Sequence, residues 1–187
     1  MTIRPRSIRA QLLLVSLIAA ALPIAVLGAA FYWQVARGEL PCPLCLVQRM
    51  AFLGAGLGFM LNVRFGSSES HYGVVIVSAL VGGAVAARQV LLHVVPGAGS
   101  YGSALLGWHF YTWALVAFFL IALFAAALLF IEAQFAEGVS DWRPTVTAQV
   151  LGWLFVLIAL GNAVSTLLEC GFGPCPDNPT GYQLLQK

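Results

Sequence analysis

Charge is what this chain has least of. Of its 187 residues only 9% are Asp, Glu, Lys or Arg, against about a quarter in an average soluble domain. With 60% of the chain hydrophobic, that scarcity excludes a soluble globular domain, because so short a chain cannot hide this much apolar surface in a core of its own. It excludes disorder equally, since disordered segments are poor in hydrophobic residues and rich in charge. The formal net charge of +2 is too small and too scattered for nucleic-acid binding. Internal repeats and low-complexity segments are lacking too, so one domain over residues 1–187 is expected. Lipid is the solvent that fits: the composition predicts an all-α integral membrane protein embedded in a bilayer.

Long charge-free windows are what the chain has instead, and they locate the spans. Residues 10–36 carry no charge, and a membrane span needs about 20 apolar residues. Arg4, Arg6 and Arg9 precede this window. The apolar run is too long for a signal-peptide core, so it reads as a retained anchor, with Pro23 as a candidate kink. Residues 40–63 form a second window broken only by Arg49, and 70–87 a third. The fourth, 89–131, is too long for one span; Pro96, Gly97, Gly99 and Gly102 break it near its start. The third helix then carries Arg88 inside it, and the fourth follows the break. The fifth window, 144–168, opens with Pro144, a favoured first helical residue. The predicted spans are 11–34, 44–63, 72–94, 104–131 and 145–168, a five-helix transmembrane bundle. The leading arginines argue for a cytoplasmic N-terminus. Arg64 and Arg143 fall on the same side, Arg37 and Lys187 on the other.

That topology places all four cysteines, Cys42, Cys45, Cys170 and Cys175, on the outer, disulfide-permissive face. Four cysteines allow three connectivities; proximity favours Cys42–Cys45 and Cys170–Cys175. The first pair is CPLC, a C-x-x-C motif, and such pairs suit electron exchange better than stapling a fold. Cys45 is expected near the N-terminus of the second helix, where the dipole favours a thiolate. The bland alternative is a bracing disulfide, but a three-residue loop constrains the unfolded chain little. Leu46 stands where a c-type haem would need histidine. A zinc site drawing on all four cysteines is disfavoured on an oxidising face, so no metal is expected. The second pair spans Cys170-Gly-Phe-Gly-Pro-Cys175, a tight loop that either carries a disulfide between reaction partners or only ties down the tail.

Arg49 lies about one helical turn after Cys45. It either snorkels to the interface or holds a thiolate and donates hydrogen bonds to a quinone oxygen. Arg88-Gln89 with His93 forms a second polar patch near the outer end of helix three, and His109 is a candidate for the same cavity. Trp108, Tyr111 and Trp113 read as an interfacial aromatic belt.

At CPLCLVQR, Cys42 to Arg49, the chain resembles the bacterial disulfide bond formation protein B family, DsbB, whose signature is a C-x-x-C on the first periplasmic loop with an arginine four residues after its second cysteine. RQVLLHVVPG, Arg88 to Gly97, looks like the family's third-helix end, and the resemblance covers roughly residues 10–132. It implies a four-helix DsbB-like core plus one extra helix, in the bacterial inner membrane with every cysteine periplasmic. It implies a thiol:quinone oxidoreductase that reoxidises a periplasmic DsbA-like thioredoxin-fold oxidase and passes electrons to ubiquinone or menaquinone, supporting protein disulfide bond formation. Cys42, Cys45, Cys170 and Cys175 would be catalytic, and Arg49, Arg88, Gln89 and His93 would serve the quinone. One departure stands out. The best-known members have four spans, with a widely spaced second pair between spans three and four; here that loop, about 95–103, has no cysteine and the pair follows a fifth span. Two other readings compete. One is a membrane disulfide reductase similar to vitamin K epoxide reductase, whose C-x-x-C usually comes late in the chain. The other is a structural membrane protein with bracing disulfides.

Overall fold

The computed structural model describes residues 5–135 and 145–186; Arg4, Arg143, Pro144 and Lys187 lie outside that range. Five long helices dominate: α1 Pro5–Arg37, α2 Pro43–Phe65, α3 Glu69–Val94, α4 Phe110–Phe135 and α5 Val146–Cys170. Each is long and apolar enough to cross a membrane, and the chain is a multi-pass membrane protein. Helices are what these charge-free runs must form, because every backbone N–H and C=O needs a partner within the segment once water is gone.

Local chemistry sets the ends. Cys42 caps α2, with Pro43 in the first turn, and the helix stops at Gly66, whose φ of 91° lies in the region glycine tolerates. Thr145 caps α5 by accepting from the Ala148 N–H at 3.2 Å. The chain leaves α5 at Gly171, with φ 63°.

α2 is the central helix. It packs on α3 and α1, α3 packs on α4, and α5 lies against α1 and α2. Within its apolar window α2 is 56% buried against 11% for α5, which leaves α5 a largely lipid-facing helix on the rim. Close packing uses small residues, as expected where lipid tails are as apolar as the side chains. A methyl group at Gly58 would collide with Val75 and the His71 carbonyl, and one at Gly82 with the Phe118 ring. Phe52 and Phe118 stack with centroids 4.1 Å apart, in a core with Leu27, Ala79 and Ala86. Pro23 is buried within α1, and α5 reaches it through Phe155 across Gly56.

One element departs from expectation. Residues 104–109 are not the start of the fourth helix. Strands β1, Ala104–Leu105, and β2, Trp108–His109, pair antiparallel. The two turn residues, Leu106 and Gly107, both have positive φ, 53° and 83°, which is the turn that matches strand twist. α4 therefore begins at Phe110.

Candidate functional site

The antiparallel path of the helices brings the starts of α2 and α4 to the same end of the bundle as the finishes of α1, α3 and α5. Both cysteine pairs lie at that end, and both are closed as disulfides, Cys42–Cys45 and Cys170–Cys175.

Cys42 is the N-cap of α2, and its Sγ accepts the Cys45 N–H at 3.1 Å. The positive end of the helix dipole therefore falls on both sulfurs: Cys45 stands in the first turn of α2, as expected, and Cys42 caps it. The Gln89 amide reaches across from α3 and donates to Cys42 Sγ at 3.3 Å and to Cys45 Sγ at 3.5 Å. Its own Oε1 accepts from Gln48 Nε2 at 2.7 Å. Gln48 and Gln89 are both buried, so two amides on facing helices form a polar cradle under the disulfide, satisfied by each other as buried amides must be.

The two sulfurs face different surroundings. Cys42 is buried, at 6% exposure. Cys45 borders a cavity of about 410 Å³ walled by α1 (Ala30, Trp33) and α4 (Phe110, Ala114) and floored by Gln48, Arg49 and Phe52 of α2. Trp33 and Phe110 meet edge to face at 5.3 Å. Two outer loops roof the cavity. Tyr101 donates to the Leu40 carbonyl at 2.7 Å. Glu39 accepts from the Ser103 N–H at 3.0 Å and from the Ser103 hydroxyl. The Tyr101 phenol is held above its usual range by burial, reinforced by the negative charges of Glu169 and Glu39, so it stays a neutral donor at ordinary pH.

Arg49 lines the cavity from one turn below Cys45. Its Nη1 donates to Gln34 Oε1 at 2.7 Å and its Nη2 to the Ala30 carbonyl at 3.3 Å, and its guanidinium lies over the Phe31 ring at 5.4 Å. A merely snorkelling arginine would extend to water. This one is fixed by α1, with two of its five N–H groups engaged in those bonds and the others available to a ligand.

The remaining expected residues divide. His93 donates through Nδ1 to the Gln89 carbonyl at 2.7 Å and stacks on Tyr111 at 5.0 Å; His109 stacks on Tyr111's ring at 5.4 Å. The structure thus joins Gln89 and His93 to the disulfide's surroundings. Arg88 is exposed on α3, and none of Arg88, Gln89 and His93 is among the residues lining the cavity. The aromatic belt also divides: Trp108 is exposed, but Tyr111 and Trp113 line the cavity, and Trp113 Nε1 donates to the Leu105 carbonyl at 2.9 Å. They are drawn inward because the hairpin turns the chain before α4 begins.

Sequence reasoning missed Gln34, Gln48 and Glu169. Gln34 is buried and also donates to Ser165 Oγ at 2.7 Å and to the Tyr182 hydroxyl at 3.0 Å, tying α1 to α5 and to the chain beyond it. Glu169, at the end of α5, is 0% exposed and interacts electrostatically with Arg49. Gln48, an amide within the second apolar window, carried an available signal, since polar groups are rarely placed in a membrane without a use; Glu169 stands just past the fifth window.

The second disulfide is set differently. It closes the loop after α5, where Cys170 is buried at 4% and Phe172 is 93% exposed. Among the described residues, neither of its sulfurs accepts a hydrogen bond like those of the Gln89 amide.

The fold and site define a polytopic helical membrane protein with a C-x-x-C disulfide held against an apolar, arginine-bearing cavity at one membrane face. The family model for disulfide bond formation protein DsbB matches residues 12–101. Disulfide bond formation protein B of Cupriavidus metallidurans is 38% identical over 93 residues, 49% of this chain and 58% of that protein. That of Marinobacter nauticus is 43% identical over 75 residues, 38% of this chain and 45% of that protein. Disulfide bond formation protein B 1 of Pseudomonas fluorescens is 38% identical over 77 residues, 39% of this chain and 45% of that protein. Residues 12–101 are thus similar to the DsbB family. Its matches span about half the length of these relatives. Cys42, Cys45, Arg49, Gln89 and His93 fall inside the matched stretch, whereas α5 and the Cys170–Cys175 pair lie beyond it. No solved structure gives a significant match.

Proposed function

We propose that the protein is a thiol:quinone oxidoreductase of the bacterial inner membrane that supports disulfide bond formation by reoxidising a DsbA-like thioredoxin-fold oxidase in the periplasm. The observation that carries this reading is the contact of the Cys42–Cys45 disulfide with the apolar cavity that Arg49 lines. The relatives' printed names speak of disulfide bond formation, which supports the same direction.

A quinone head group suits this cavity. Its volume is within the range of small-molecule pockets, its walls are apolar, and Arg49 and Gln48 are the donors at hand for carbonyl oxygens. Ubiquinone or menaquinone, when bound, supplies a sink for two electrons and two protons. Val26 and Ala29 of α1 and Ala117 of α4 extend the apolar lining, which suits the start of an isoprenoid tail.

The chain's own residues would act as follows. Closing the Cys42–Cys45 bond from two thiols releases two electrons and two protons. The amide of Gln89 donates to whichever sulfur carries negative charge, and the N-terminus of α2 favours a thiolate at Cys42. Cys45, on the cavity side, is placed to hand over the electron pair. Arg49, immobilised by Gln34 and Ala30, orients the acceptor and stabilises charge developing on its oxygen. Cys42 is the sulfur to receive an incoming thiolate. Because it is buried, that attack requires the residues packed around it to move aside. In the full relay, one thiolate of a reduced soluble oxidase attacks Cys170–Cys175 and forms a mixed disulfide, and the released loop thiolate attacks Cys42 and frees Cys45. The oxidase's second thiolate then breaks the mixed disulfide, so the oxidase leaves oxidised, and the freed loop thiolate re-closes Cys170–Cys175, leaving Cys42 and Cys45 reduced. The seat of the second pair at the same end of the bundle supports this.

The test is quinone reduction by the purified protein in detergent, followed by loss of quinone ultraviolet absorbance. A reduced thioredoxin-fold oxidase and a small dithiol serve as alternative donors, with Cys45→Ser as control. Turnover that vanishes in the control is expected. No turnover with either donor overturns the reading and favours disulfides that only brace the outer loops.

A further inference from the structure

A carboxylate buried at a membrane face with nothing bound to it needs a reason. Glu169 is 0% exposed, and among the described residues neither of its oxygens accepts a hydrogen bond. Its main chain is tied down, its carbonyl accepting from the Gln183 N–H at 3.4 Å while the neighbouring Leu168 carbonyl accepts from Leu184 at 3.1 Å. The segment after the second disulfide is thus folded over the end of α5 and helps keep water from the acid. For packing alone an apolar side chain would serve at less cost, since an unpaired buried charge is among the most expensive groups in a protein.

Among the described residues, one cation acts on Glu169. Its electrostatic partner is Arg49, and the interaction recurs among those acting on Arg49, together with Tyr182. Gln34 makes the mechanical link. It accepts from Arg49 on one side and donates to Ser165 on the other. Ser165 is one helical turn before Glu169 on the same face of α5. The fifth helix therefore delivers a hydrogen bond to the group that holds Arg49 and a negative charge to the field around it.

We propose that Glu169 is a positioning residue of the quinone site, a counter-charge brought in by α5 that moderates the pull of Arg49 on a bound quinone head group. This rests on the quinone reading above. In a low-dielectric setting a charge acts over several ångströms without contact, so the carboxylate need not touch the cavity. α5 lies outside the stretch matched by the family, which makes this control a property of the added helix.

The experiment measures binding of decylubiquinone to the full chain in detergent by quenching of tryptophan fluorescence, Trp33 and Trp113 being cavity walls. The measurement is made in mildly alkaline buffer. Glu169→Gln, which keeps shape and removes charge, is expected to tighten binding by about three- to tenfold. Glu169→Leu should do the same, and it stands in if the glutamine variant does not fold. In an Arg49→Ala background Glu169→Gln should change nothing, because the charge it removes acts through Arg49. Unchanged or weaker binding in the folded single variants overturns the proposal. So does an equal shift with and without Arg49. Absence of binding by the wild-type chain overturns the quinone reading, and the proposal with it.

Discussion

The two disulfides lie at the same end of one bundle, yet they are built for different lives. Cys42–Cys45 is set into the first turn of the central helix, with the Gln89 amide donating to both sulfurs and a cavity against Cys45. Cys170–Cys175 closes a glycine- and proline-containing loop at the end of the peripheral helix, with Phe172 at 93% exposure. The first bond has amide donors that would support negative charge on its sulfurs and, on the proposed reading, a cavity for an electron acceptor. The second joins a buried Cys170 to a loop whose Phe172 is exposed, with no such amide donors among the described residues. What makes a disulfide suited to chemistry here is the set of donors and the cavity around it, not the mere closeness of two cysteines in sequence.

The sharpest way to break this comparison is to remove one sulfur from each pair. Cys45→Ser should reduce quinone turnover to background with every donor. Cys170→Ser should abolish oxidation of a thioredoxin-fold partner but leave quinone reduction by a small dithiol intact. Loss of both activities in the second variant would show that the outer pair is structural. Next in size is Arg49→Ala, which should raise the quinone KM about tenfold, equivalent to roughly 1.4 kcal/mol, with the thermal midpoint of the detergent-solubilised protein little changed. Unaltered quinone kinetics would reduce Arg49 to a fixed surface cation. A smaller effect is expected of Gln89→Leu. Losing the donor to both sulfurs should slow dithiol-driven turnover about threefold to tenfold, in line with about 1 kcal/mol for a hydrogen bond of this kind. The corresponding loss of donors around Cys170–Cys175 has no counterpart to test, which is the comparison in its simplest form.

The smallest effect concerns the roof. Tyr101 holds its proton more tightly in the folded protein than in the unfolded chain, chiefly through burial. Its contribution to stability is therefore complete below the ordinary tyrosine pKa of about 10 and is lost as pH rises through the higher folded value. Stability measured above pH about 10 should fall more steeply for the wild type than for Tyr101→Phe, which has no phenol to ionise. Parallel slopes would sink the assignment.

Most of the helical framework was legible because charge is so rare that each charged residue marks a boundary. Arg37, Arg64 and Glu69 fall at or near helix ends. The C-x-x-C and Arg49 were legible because helical spacing alone puts them within a turn of each other. The hairpin was not. Its turn is Leu106-Gly107, where Asn-Gly or Asp-Gly would have signalled it, and Ala104-Leu105-Leu106 reads as the start of an apolar helix. Gln34 and Glu169 were invisible for another reason. Their importance arises from α5 packing on α1 and α2, a contact between segments more than a hundred residues apart that no local pattern encodes. Arg88 shows the opposite failure: adjacent to Gln89 in sequence, it is turned about 100° around the helix axis from it and ends on the outside.

The seating of the Cys42–Cys45 bond has a consequence for the proposed chemistry. One of its sulfurs borders an apolar cavity of a kind that suits an oil-soluble oxidant, and the other is buried away from that cavity. A water-soluble protein and a lipid-soluble acceptor would never have to share a phase. The boundary between the two solvents would be crossed within the length of one covalent bond, by electrons alone.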